Sequence, residues 1–206
     1  MGAFVSADIV WAILSPASRS AVQQWASTNV VNLQHDPLGS LAASAFVPPD
    51  FPTPGRSSLG WPCLARTRCW GTGGTVVVCG TGHVLATLAS QGVVAYQIAH
   101  GLVPESDSRI VDVGPSYILV AAIAVAVLYG PWPARIVAGA DFLILVVGGI
   151  FSGPSIVVSV VGHTTSIVVA AILSAHWRRS LLRPHRPPEL IIDRAEPSAL
   201  DRPPHD

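Results

Sequence analysis

Long apolar runs, cut by turn residues or single charges, dominate the chain from residue 70 onward. Trp70 to Val103 contains no Asp, Glu, Lys or Arg. A membrane-spanning helix needs about 20 mostly apolar residues, and this run holds one, near 71–98. Val113 to Tyr129 supplies a second, near 113–130. Between Arg135 and Arg178 the only formal charge is Asp141. That stretch is too long for one helix, and Ser152-Gly153-Pro154 breaks it. Two spans are expected there, near 135–151 and 155–177. Two shorter apolar segments lie upstream, near 4–14 and 38–47. The second runs into Pro48-Pro49 and a Pro/Ser-rich stretch, PPDFPTPGRSS.

The pattern predicts an all-α polytopic membrane bundle of about six helices, the first two truncated. Its core is expected over 38–177. A partial first membrane helix and an outer-face segment precede it (1–37), and a disordered Arg/Pro-rich tail follows (178–206). Residues 1–14 lack a basic start, carry Asp8 and lack a small-residue cleavage site. They are expected to be the end of a helix or a poor first span, and not a cleaved leader.

Composition agrees with the pattern. Half of the 206 residues are apolar and only 12% are charged, against about 25% in soluble domains; mean hydropathy is +0.51. Net charge is zero and the twelve basic residues are all Arg, so bulk electrostatics offers nothing to nucleic acid. Cys63, Cys69 and Cys79 lack metal-ligand spacing, and no metal or cofactor is expected.

Arginine placement sets an orientation, because cytoplasmic loops collect basic residues. Arg178, Arg179, Arg183 and Arg186 follow the last span and place the C-terminus inside. Counting back, 152–154 is outside, Arg135 inside, the net-acidic 104–112 loop outside, and Arg66 and Arg68 inside. The expected location is the cell membrane, crossed several times.

Within this frame Gly-Pro-Ser occurs twice, at 114–116 and 153–155, each time at the outer start of an apolar run. Pro suits the first helical position, where its missing N–H would be unpaired in any case. Both copies are therefore accounted for as helix starts. Ionisable groups at membrane depth need a function or a partner. His163 lies in VVGHTTSIVVAAIL, about 12 Å in from Ser155. Ser116 starts a different helix, about one turn in, and can approach that histidine if its helix is short or tilted. Ser155 shares the helix of His163 and cannot reach it. His83, in CGTGHVLATL, is expected to pack with a polar partner in the bundle. Asp141 is expected to snorkel or pair with Arg135. His35 and His100 fall near the interface.

Four segments together are similar to one family: STNVVNLQHDPLGSLAASAF at 27–46, CGTGHVLATL at 79–88, DVGPSY at 112–117 and VVGHTT at 160–165. In order and spacing they resemble the rhomboid family of intramembrane serine proteases, in a divergent branch. The resemblance covers Ser27 to about Ala175. It implies Ser116 as nucleophile, His163 as base, and Gly114 in the loop shaping the oxyanion pocket. It also implies a site open to water from the outer face, and transmembrane helices as substrates or clients within a lipid bilayer. The chain departs from the protease pattern at three places. Tyr117 stands where Gly follows the serine, 47–70 has no His or Asn to assist the oxyanion, and Thr164 and Thr165 follow the histidine where small residues are usual. Three functions remain open on these residues: a Ser/His protease, an inactive relative that binds membrane helices, or a small transporter or channel subunit using His83 and His163.

Overall fold

The computed structural model describes residues 2–47, 71–113, 115–145 and 156–181. Among them the order is α1 (Gly2–Ile13), α2 (Pro16–Ala26), α3 (Val30–His35), α4 (Pro37–Ser44), α5 (Gly71–Ala99), a 3-10 turn (Glu105–Arg109), α6 (Ser116–Tyr129), α7 (Trp132–Leu145) and α8 (Ile156–Leu181). No strand occurs among the described residues, so the fold is all-α. Among the described residues two helices are long and apolar enough to cross a membrane, Gly73–Ala99 in α5 and Ile156–Arg179 in α8; α6 is apolar but shorter.

The N-terminal helices are short because capping residues interrupt them. Ser15 caps α2 through its side chain, with Pro16 first in the helix. Asn29 caps α3 the same way, and Asp36 caps α4 ahead of Pro37. Each cap satisfies a backbone N–H that the first turn cannot pair internally. The apolar segment expected near 4–14 corresponds to α1, and the stretch that follows it up to residue 37 holds two further short helices, α2 and α3.

α6 is the hub. Tyr117, Val120, Ala121, Ala122, Ile123, Val125 and Ala126 are all buried along its 14 residues. Val78 and Cys79 of α5, Ala121, Ala122 and Val125 of α6, and Ala170 of α8 form one core cluster. Ile123 and Ala126 meet Ala138 of α7 in a second. Small side chains let these helices approach closely, which drives association where lipid removes the hydrophobic gain. At Gly82 of α5 an added Cβ would lie 3.3 Å from both Ala121 Cβ and Ser166 Oγ, so three helices meet there. The pairings run Gln91 with Asp112, Gly82 with Ala121, and Val78 with Val125. α5 therefore runs antiparallel to α6, while α8 runs parallel to it.

One boundary differs from expectation. α8 continues through Arg178 and Arg179 to Leu181, so the first residues of the expected tail are helical. No proline intervenes before Pro184, and basic residues suit the negative end of the helix dipole; Arg178 also lies over the Tyr129 ring at 5.6 Å. The remainder of the tail, the second Gly-Pro-Ser, Gly114, Cys63 and Cys69 lie outside the described residues. At the other end of α6, Arg135 donates to the carbonyls of Gly130 (2.9 Å) and Leu128 (3.1 Å), capping the carbonyl end of that helix.

Candidate active site

Ser116 is the first residue of α6, behind Pro115 as its N-cap. The Pro115 carbonyl accepts from Leu119 N–H at 2.8 Å, and no cap side chain takes the first-turn N–H groups. Among the described residues no side-chain cap claims those donors. The start of α6 docks part-way down α8. Ser166 Oγ donates to the Tyr117 carbonyl at 2.6 Å, and the Tyr117 ring fills the space that a side chain on Gly162 would take. Gly162 to Ser166 lies roughly 9–15 Å along α8 from Ile156, at 1.5 Å per residue. The serine turn is therefore recessed, and this removes the depth mismatch between Ser116 and His163 that the sequence leaves.

His163 lies beside that turn. Its Nδ1 is 2.6 Å from the Ser159 carbonyl, one turn back on α8. A carbonyl only accepts, so Nδ1 carries the proton and Nε2 is the lone-pair nitrogen. The Tyr117 and His163 rings meet edge to face with centroids 5.0 Å apart. Among the described residues no hydrogen bond joins Ser116 to His163; Tyr117, and not Ser116, makes the defined contact with the imidazole. Catalytic hydrogen bonds are often long in unliganded enzymes.

On the far side of Tyr117 lies His83, ring centroids 6.2 Å apart. Its Nε2 lies 3.1 Å from the Leu41 carbonyl and 3.2 Å from Ser44 Oγ. His83 thus has polar partners across the bundle on α4, as its mid-span position predicts. Asp141 is buried on α7.

Sequence reasoning assigned no role to a group of residues at the mouth of the site. The Asp112 carboxylate accepts from Gln91 Nε2 at 2.9 Å and lies 3.4 Å from Thr28 Oγ1. Its backbone is held too: Asp112 N–H donates to Ser27 Oγ, and Thr28 N–H to the Asp112 carbonyl, both at 2.9 Å. Ser27, Thr28 and Asn29 are all buried. The signal was present, since Ser27, Thr28 and Asp112 begin two of the four recognised segments, but pairing residues 84 apart requires the fold.

Burial pushes the Asp112 carboxyl above its usual range, while the Gln91 and Thr28 hydrogen bonds pull it down. The folded state then holds this proton more tightly than the unfolded chain. Stability contributed by protonated Asp112 is present at low pH and is lost as pH rises from the ordinary carboxylate range through the raised value. Thermal unfolding in micelles should show the midpoint falling across that window, and Asp112→Asn should remove that part of the slope. An identical slope in the variant would assign the effect to another group.

A family model described as rhomboid-like protein matches residues 2–175, a span containing every described helix up to the last turns of α8. The chain belongs to the rhomboid-like protein family. No curated protein and no solved structure matches it. As a rhomboid-like protein it is membrane-embedded. That accounts for the large apolar side chains on its outer surface, such as Val76 and Leu88 of α5, Ile136 and Leu143 of α7, and Ile156 and Ile172 of α8, which in water would mark an interface.

Proposed function

We propose that this rhomboid-like protein is an intramembrane serine hydrolase of the cell membrane, crossing it several times with its C-terminus in the cytoplasm. Ser116 is the nucleophile and His163 the base, acting on a peptide bond of a transmembrane helix. The observation that carries this reading is the 2.6 Å approach of His163 Nδ1 to the Ser159 carbonyl. Donation from Nδ1 to the Ser159 carbonyl leaves Nε2 as a proton acceptor beside the turn that begins with Ser116. In the reaction Ser116 Oγ bonds to the scissile carbonyl carbon as its proton passes to Nε2. The oxyanion lies against the uncapped N–H groups of the α6 first turn, at the positive end of the helix dipole. The carbon–nitrogen bond then breaks, and Nε2 returns the proton to the leaving amine. Water then bonds to the acyl carbon as its proton passes to Nε2; the ester bond to Ser116 Oγ breaks, and Nε2 returns that proton to the serine oxygen as the acid product leaves.

A fluorophosphonate probe tests the assignment. Wild type in micelles should be labelled and Ser116→Ala should not. Equal labelling of both, or of neither, counts against it.

A second reading has its own observation. The Tyr117 ring occupies the Gly162 notch and lies edge-on to His163, where a substrate carbonyl would approach. This favours a relative that binds membrane helices without cutting them. In that case Ser116→Ala leaves the cellular phenotype intact; loss of the phenotype at normal protein levels would exclude it.

A further inference from the structure

We infer that Asp112 is a positioning residue: its carboxylate clamps the serine-bearing turn to α5 and to the buried Ser27–Asn29 segment, and so sets where Ser116 stands. This deepens the reading of Ser116 as the reacting residue and rests on it. Asp112 belongs to the short connection between the 3-10 turn and α6. That connection must dip to place Ser116 level with Gly162 and Ser166. A dipping chain has few helical bonds of its own, so contacts from neighbours fix its course.

Asp112 collects them from two sides. Gln91, near the end of α5, reaches its carboxylate at 2.9 Å. From the segment between α2 and α3, Thr28 N–H and Oγ1 both donate to its carbonyl, at 2.9 and 3.1 Å. Ser27 Oγ takes its N–H at 2.9 Å. Both backbone polar groups and one carboxylate oxygen are thus bound by residues that belong to neither α6 nor α8. Ser166 fixes the turn from the opposite side through the Tyr117 carbonyl. Displacement at Ser27–Thr28 or at Gln91 is transmitted to Ser116 through Asp112.

Polarity makes the clamp testable. Gln91 donates and Asp112 accepts. Gln91→Glu sets two carboxylates against each other, while adding Asp112→Asn reverses the direction of donation and restores a charge-assisted bond. The full chain is used in micelles at pH 8, with Cys63, Cys69 and Cys79 replaced by Ala and Ser116→Cys as reporter. Maleimide reactivity at position 116 should change roughly tenfold or more in Gln91→Glu, the factor expected for loss of a charge-assisted hydrogen bond. It should return towards the parent rate in Gln91→Glu/Asp112→Asn. A control reporter, Leu128→Cys at the far end of α6, should not move. Thr28→Val should shift reactivity in the same sense and Thr28→Ser should not, which keeps the test open if Gln91→Glu fails to fold. Unchanged reactivity in Gln91→Glu, or a shift that the swapped pair does not reverse, overturns the clamp. Fluorophosphonate labelling of the native serine is scored separately. A clamp that behaves as described in a chain the probe never labels removes the hydrolase reading and leaves the positioning role standing.

Discussion

His163→Gln is expected to slow phosphonylation of Ser116 by about 10²–10⁴-fold, the usual contribution of a positioned general base. Glutamine has a similar bulk and can still lie against Tyr117, but its amide cannot take a proton at neutral pH. Ser159→Ala is the informative companion. Nδ1 is 2.6 Å from the Ser159 backbone carbonyl and 3.3 Å from its hydroxyl. The carbonyl survives the substitution, so the tautomer and the rate should change little. The measurement is the second-order rate of fluorophosphonate labelling in micelles, with thermal unfolding alongside it. A His163→Gln protein that unfolds like wild type and is labelled at the same rate would end the Ser/His assignment. A large loss in Ser159→Ala would show that the hydroxyl, and not the backbone, sets the ring.

The helices of this site were legible and its mouth was not, for physical reasons. α5, α6 and α8 advertise themselves by uninterrupted apolar runs, and the starts expected near 71, 113 and 155 lie close to Gly71, Ser116 and Ile156. α2 and α3 carry no such run. Their evidence is a pair of caps, Ser15 ahead of Pro16 for α2 and Asn29 for α3, which composition scanning passes over even though each is a mechanistic start signal. Depth was also hidden. A sequence gives the distance of His163 from the start of its own helix, but only the seating of Tyr117 against Gly162 and Ser166 shows how far Ser116 is recessed. The Tyr117 ring has a structural part as well: seated in the Gly162 notch, it is the wedge by which α6 is held on α8.

That wedge yields the strongest structural prediction. Gly162→Ala is expected to destabilise the protein by about 1–3 kcal/mol, the usual cost of overpacking a fitted interior. Its new methyl would clash with Tyr117 Cε1, Cζ and the phenol oxygen. A surface tyrosine would swing away. Here the Tyr117 backbone is held by Ser166, the residue has only 4% of its surface free, and the His83 ring lies 6.2 Å from its own. The helices must separate instead. A misplacement of about 1 Å is enough to cost on the order of 10²-fold in a positioned reaction, so labelling of Ser116 should fall with stability although Gly162 touches neither reacting atom. Tyr117→Ala alone should cost about 3–5 kcal/mol by leaving a cavity. In the double variant the two losses should fail to add, because the alanine methyl at 162 enters the space the ring has left. Denaturation of the four proteins in micelles measures the coupling directly. Additive losses, or a Gly162→Ala protein as stable and as reactive as wild type, would mean that α6 is seated on α8 by something other than this ring.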